Sequence, residues 1–271
     1  MKTQLPRNKT VTYLLYAFSF FLFGIFFTFS QYSYSQSSAD NDIDVFLDAL
    51  IEKGDALVDE NRYNEAIEYY DKGLEVSPDD IETLFKKGDA LYGAGNYTDA
   101  IQYFDKILEI DPSRSVALDS KGKALDRLGK YNEAIQYYDK SIQIFPNNTD
   151  ALYNKGVALG NLGRYQEEIQ YYDKVLQLDP YYIDALKYKG LAIAILGNYN
   201  EAIEYYDKAL EHNPTDVELL FNKGLALGNL GKYQEEIQYY DKVLEINSTD
   251  NDALNNKGLA LYYLGRYDEA I

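Results

Sequence analysis

The chain repeats itself every 34 residues without an insertion, and this period limits its fold more than any other feature. Lys-Gly pairs place glycine at Gly54, Gly88, Gly122, Gly156, Gly190, Gly224 and Gly258, each 34 residues after the last. With the unit started at Leu47, these glycines hold position 8. Six full units then occupy 47–80, 81–114, 115–148, 149–182, 183–216 and 217–250, and a seventh covers 251–271 up to its position 21. A period of this size marks a supersecondary unit that cannot bury its apolar face alone and is stabilised by stacking on its neighbours.

Each unit reads as two amphipathic helices. Leu at position 4 (Leu50, Leu84, Leu118, Leu152, Leu186, Leu220 and Leu254), Gly at 8 and Leu or Ile at 11 share one face of a first helix. Glycine at position 15, from Gly95 to Gly265, is suited to the left-handed residue that closes a helix, and Asn61 takes this place in the first unit. The spacing predicts a second helix from about position 18, with Asn64, Thr98, Asn132, Asn200 or Asp268 as caps. Its apolar face is Tyr at 17, Ile at 21, an aromatic residue at 24 and mostly Leu at 28. Pro78, Pro112, Pro146, Pro180 and Pro214 at position 32 stop it.

Gly at 8, a large residue at 11, Tyr at 17, Ala at 20 (Ala66, Ala100, Ala134, Ala202, Ala270), an aromatic at 24 and Pro at 32 resemble the tetratricopeptide repeat, or TPR. The resemblance spans residues 47–271. It implies an all-α fold, a right-handed α-solenoid of helix-turn-helix units, with positions 2, 5, 6, 9, 12 and 13 of the first helices lining a concave groove. Two repeats depart from the pattern. Glu168 and Glu236 stand where position 20 expects a small residue, and Val175 and Val243 accompany them at position 27. A changed packing angle is expected there, whereas Gly122 and Ala134 of the third repeat should lie in close helix contact.

Before the array, Val11 to Phe29 form 19 uncharged residues, preceded by Lys2, Arg7 and Lys9. As a helix they reach roughly 28 Å, close to the ~30 Å hydrocarbon thickness of a bilayer. Residues 1–39 therefore read as a signal-anchor with its span at about 11–29, or as a cleaved signal with small-residue pairs at Thr28/Ser30, Ser33/Ser35 and Ser37/Ala39. Basic residues before the span predict an extracytoplasmic body, membrane-anchored or, after cleavage, secreted. In that body Asn96, Asn147 and Asn247 begin N-x-[ST] triplets, a weak glycosylation signal. Residues 40–46 form an acidic lead-in. Asp40, Asp42 and Asp44 alternate like calcium-loop ligands, but Val45 and Ile51 hold the Gly and Glu positions that such a loop requires.

Composition narrows the function. With 44 acidic and 26 basic residues and a net charge of −18, the chain repels phosphate, so nucleic acid is not an expected partner. It contains no cysteine and one histidine, so thiolate and His-Cys metal sites and nucleophile-His catalysis lack their parts. His212, at position 30, reads as a core substitute or a partly exposed neutral group. Gly93-Ala94-Gly95 lacks the preceding strand of a nucleotide loop, and no cofactor is expected. The recurring Asp-Lys pair at positions 25 and 26 reads as a solvated face, with Glu68–Lys72 and Glu204–Lys208 as i,i+4 ion pairs. The 18 tyrosines at positions 17, 23 and 24 read chiefly as packing residues.

These readings favour a non-enzymatic scaffold that binds a peptide or protein segment in its groove. The groove should run from acidic (Asp55 and Asp89 at position 9) to apolar (Val157, Leu191, Leu225, Leu259). Asn154, Asn161, Asn222, Asn229 and Asn256 at positions 6 and 13 are amides able to donate and accept along an extended backbone, and they resemble the Asn ladders of some long TPR superhelices. Alternatively they solvate an exposed face or cap the inter-helix turn. Tyr153, Tyr188 and Phe221, with Leu225 and Leu259, would supply apolar pockets beside them, and Asp150 and Glu218 would favour a basic residue in the partner. Two other functions stay open at this point. One is an envelope-assembly helper without a linear-peptide groove, and the other is the regulatory TPR part of a longer enzyme, because the sequence stops at Ile271 within a helix-forming stretch. Oligomeric state is not readable from the sequence.

Overall fold

The computed structural model describes residues 36–270. The expected span at 11–29 lies outside the described residues, and among those described no helix is long and apolar enough to cross a membrane. The described chain is all-helical and alternates first and second helices of successive repeats. First helices are α1 (Gln36–Asp59), α3 (Ile81–Gly93), α5 (Ser115–Arg127), α7 (Thr149–Asn161), α9 (Ile183–Ile195), α11 (Val217–Asn229) and α13 (Asn251–Tyr263). Second helices are α2 (Tyr63–Val76), α4 (Tyr97–Ile110), α6 (Tyr131–Ile144), α8 (Tyr165–Leu178), α10 (Tyr199–His212) and α12 (Tyr233–Ile246), and a 3-10 turn, Tyr267–Glu269, follows α13. The aspartates at 40, 42 and 44 all fall inside α1.

The turn within each repeat follows from position 15. Gly95, Gly129, Gly163, Gly197, Gly231 and Gly265 all have φ between +72° and +87°, and Asn61 replaces them at +59°. This left-handed residue lets the next N–H reach back to position 11, as from Asn96 to the Leu91 carbonyl at 2.8 Å. One helix is closed and the next is begun across only three residues, positions 14 to 16. Second helices consequently start at position 17, and Asn64, Thr98, Asn132 and Asn200 lie inside the first turn, not at its cap. Side-chain caps belong instead to the first helices: Asp80, Asn148, Asp216 and Asp250, at position 34, accept from the N–H of Thr83, Ala151, Leu219 and Ala253. The proline is dispensable. Repeat 6 carries Ser248 in its place, yet α12 ends in register, with the Asn247 side chain accepting from the Thr249 N–H (3.3 Å) and hydroxyl (3.1 Å).

Packing inside a repeat is set by position 8 against position 24. A Cβ on Gly122 would stand 2.5 Å from the Tyr138 ring, and equivalent contacts of 2.4–2.8 Å face Gly54, Gly88, Gly156, Gly190 and Gly224. The atoms nearest a Gly122 Cβ belong to Tyr138, one turn beyond the fully buried Ala134, and in repeats 5 and 7 the position 20 carbonyl also lies close, Ala202 at 3.3 Å from a Gly190 Cβ and Ala270 at 3.4 Å from a Gly258 Cβ. Successive first helices from α3 to α13 touch one another, whereas successive second helices do not. First helices therefore line the inner, tighter side of the curve.

Candidate partner-binding groove

The outer side explains why this curve is regular. At every junction the Asp at position 25 pairs with the Lys at position 7 of the next repeat: Asp71–Lys87, Asp105–Lys121, Asp139–Lys155, Asp173–Lys189, Asp207–Lys223 and, at 2.5 Å, Asp241–Lys257. The first five of these lysines are buried. Each also sits 4.1–4.5 Å from the centre of the Tyr ring at position 23 of its own repeat. Lys87, Lys155 and Lys189 further donate to that tyrosine's hydroxyl at 2.6 Å. Burial alone would lower the Lys155 ammonium, but its bonds to Asp139 and Tyr171 hold it above the ordinary lysine value.

A second cation, the Lys at position 26, stacks on the same ring at 4.4–4.9 Å. The Asp-Lys pair is therefore an inter-repeat ladder, not a purely solvated face. Nor do the expected ion pairs Glu68–Lys72 and Glu204–Lys208 form; Lys72 and Lys208 lie over Tyr69 and Tyr205, where the ring face shelters the lysine stem. The tyrosine at position 23 thus holds the lysine that reaches the preceding repeat, in addition to packing. Among these rungs His212 is exposed, its ring edge-on to Tyr181 at 4.9 Å, because position 30 faces solvent in this array.

Repeats 4 and 6 accommodate their glutamates without disturbing this register. The Glu168 carboxylate occupies the space that a Cβ on Gly160 would need, at 2.7 Å, and Glu236 does the same over Gly228, at 2.5–2.6 Å. Glycine at position 12 is the compensation, and other repeats carry larger residues there above an alanine at 20. Both glutamates are 7 % exposed. Burial pushes the Glu168 carboxyl up to about 7, with the nearby Tyr172 hydroxyl acting weakly in the other direction, and it raises Glu236 likewise. The Tyr172 and Tyr240 hydroxyls are buried without a hydrogen-bond partner among the described residues. In other repeats the same hydroxyl finds an acid from elsewhere: Tyr70 donates to Asp55 and Tyr138 to Asp126, both at 2.7 Å. Burial raises Asp126 to about 6.

On the inner face the expected site residues separate into groups. Asn154 and Asn222 are half-buried, and with the exposed Asn161 they make no hydrogen bond to another described residue. Asn229 and Asn256 instead donate to carbonyls of their own helices, at Leu225 and Asp252, both 2.8 Å. Asn161 and Asn229 are the last residues of α7 and α11. Phe221 packs on Tyr240, with ring centres 5.5 Å apart. Tyr153 meets Tyr188 at 6.4 Å and, unforeseen from the sequence, Tyr182 at 5.2 Å. Glu218 is already engaged by Lys187 at 2.8 Å, whereas Asp150 is exposed with no ion pair to a described residue.

A ladder-braced stack of helical hairpins with a variable inner face is an α-solenoid. The tetratricopeptide repeat profile matches residues 51–115, 120–183 and 195–251, and the chain belongs to the tetratricopeptide repeat family. No curated protein sequence matches it significantly. Among solved structures it is similar to MamA (27 % identity, TM-score 0.57, covering 61 % of this chain and 90 % of that one). It also shares its fold with YrrB, described as a TPR protein with an unusual peptide-binding site (22 %, TM-score 0.60, 69 % and 97 %). A third likeness is PilW, a type IV pilus biogenesis factor (17 %, TM-score 0.70, 77 % and 96 %).

Proposed function

We propose that the chain is a non-enzymatic scaffold that captures an extended protein segment on the inner face of repeats 4 to 7. The observation that carries this is the state of Asn154 and Asn222. Two half-buried amides 68 residues apart, at the same position of α7 and α11, keep donor and acceptor capacity free beside Tyr153, Leu225 and Phe221. An amide that binds backbone N–H and C=O together tolerates many side chains, and the aromatic pockets add selectivity. Asn229 and Asn256, engaged on their own helices, contribute less. The peptide-binding site named for YrrB is consistent with this use of the fold. Replacing Asn154 and Asn222 with Ala should leave helicity and melting unchanged while weakening a partner peptide by about 1–3 kcal/mol in a calorimetric titration, as buried polar groups lose partners. Unchanged affinity would return both residues to the solvated-face reading.

The same proposal places the body outside the cytoplasm, on the strength of residues 11–29. A reporter fused after Asp250 should be active in its extracytoplasmic form, and Phe20→Arg should impair targeting, since a central charge costs about 2.5–3.5 kcal/mol on insertion. Activity confined to a cytoplasmic reporter would refute this placement.

A further inference from the structure

The junction between repeats 4 and 5 differs from the others on the inner face. Tyr153 of α7, Tyr182 before α9 and Tyr188 of α9 are all half-buried, and their rings are tilted at 37° and 52° with Tyr153 in the middle. Elsewhere position 34 carries Asp or Asn at four of the other five full repeats, and Asp80, Asn148, Asp216 and Asp250 cap the following helix. Tyr182 forgoes that cap, for it makes no side-chain bond to the start of α9. A local rule broken where the chain could have kept it points to another use for the side chain.

Charge around the rings says which. The Asp184 and Asp150 carboxylates act electrostatically on Tyr153 and Tyr182, respectively, and both are exposed without an ion pair to a described residue. Lys187 already sits 5.1 Å from the centre of the Tyr188 ring while paired with Glu218. Aromatic faces rimmed by carboxylates favour a cation whose flat or methylene-rich body lies on the rings.

We propose that Tyr153, Tyr182 and Tyr188, with Asp150 and Asp184, form a pocket for the side chain of a lysine or arginine in the bound segment. This rests on the groove reading and names the residue class that anchors the segment. It also transfers the basic preference from Glu218, which Lys187 neutralises, to Asp184.

Two arms on the full chain test it. In the first, tyrosine ring resonances are followed by NMR during addition of N-acetyl-arginine amide, with the neutral N-acetyl-citrulline amide as control. Arginine should shift Tyr153, Tyr182 and Tyr188 selectively. Equal shifts with both compounds, or none, would overturn the pocket whatever the groove does. In the second, a random peptide library is selected against the native chain and against Tyr182→Asn/Tyr188→Asn, which copies the asparagines natural to these positions in repeats 3 and 4. Peptides recovered on the native chain should carry a basic residue, and the variant should bind them about tenfold more weakly. Peptides bound equally by both, with no basic enrichment, would refute the pocket while leaving the groove standing. A library that yields no binder refutes the groove and, with it, the anchoring role.

Discussion

Gly160 and Glu168 should behave as one unit. A Cβ at residue 160 would fall 2.7 Å from the carboxyl carbon and both oxygens of Glu168, so the buried carboxylate, at the end of its side chain, would have to shift. Overpacking of this kind costs about 1–3 kcal/mol, set against about 0.5–1 kcal/mol gained by removing a glycine from a helix. Gly160→Ala alone should therefore be neutral to destabilising by about 2 kcal/mol. Glu168→Ala restores the alanine of repeats 1, 2, 3 and 5 and removes the clash, so in that background Gly160→Ala should stabilise by about 0.5–1 kcal/mol. The cycle predicts a coupling of about 1–3 kcal/mol. Urea midpoints, together with amide exchange across α7 because a repeat array need not melt in one step, would measure it. Additivity within about 0.5 kcal/mol would mean that the glycine does not make room for the acid.

Four further outcomes follow from the same contacts. The raised Glu168 carboxyl binds its proton more tightly when folded than when unfolded, so its contribution is full below about 4.5 and lost as pH rises towards about 7; Glu168→Gln should flatten that part of the stability profile measured by urea titration. Ala134→Leu should cost about 1–3 kcal/mol by overpacking a fully buried position, whereas Glu168→Leu, at the same position of the next repeat, should be mild; equal melting shifts would contradict the assignment. Asp139→Ala should destabilise by about 1–3 kcal/mol because it strips the buried Lys155 of its anion, while Lys155→Met should stay within about 1 kcal/mol of the native chain by removing the charge as well. Gly129→Ala should cost about 1 kcal/mol through its φ of +72° alone, with no atom within 4 Å of the new Cβ, and Gly129→Asn should cost less, as Asn61 shows.

The periodic part of the fold was legible because each feature recurs. The position 15 turn and the helix faces could be read from any one repeat and checked against the others. Caps were misplaced because Asn64 and Asp80 are the same kind of residue, and only the backbone reveals that the left-handed turn leaves no room for a cap before Tyr63 whereas the inter-repeat loop does before Ile81. The ladder was hidden by sequence distance. Asp71 and Lys87 lie 16 residues apart on different helices, so local pairing rules direct attention to Lys72, which goes to Tyr69 instead. The compensation between Gly160 and Glu168 was present in the sequence as a joint change at positions 12 and 20, eight residues apart across a turn. The Tyr182 ring stands at position 34, which belongs to neither helix face read from the sequence.

The contrast between the two faces explains how such an array can vary its inner residues without changing the register of its repeats. Every junction carries the same Asp-Lys pair on the outer side, which holds successive repeats at one spacing whatever the groove contains. Inner residues are then free to vary: position 9 passes from Asp55 and Asp89 to Leu225 and Leu259, and position 6 from Lys86 to Asn154, Tyr188 and Asn222. Departures from the common pattern gather where that freedom is used most. Repeats 4 to 6 contain both glycine-glutamate exchanges, the uncapped Tyr182 and the two half-buried asparagines, Asn154 and Asn222, that make no hydrogen bond to a described residue. The exchanges remove bulk at position 12 and refill the same space from position 20, where the Glu168 and Glu236 carboxylates stand over Gly160 and Gly228. The ladder carries both exchanges without a break, since Lys155 and Lys223, of the same repeats 4 and 6, pair with Asp139 and Asp207 as at the other junctions.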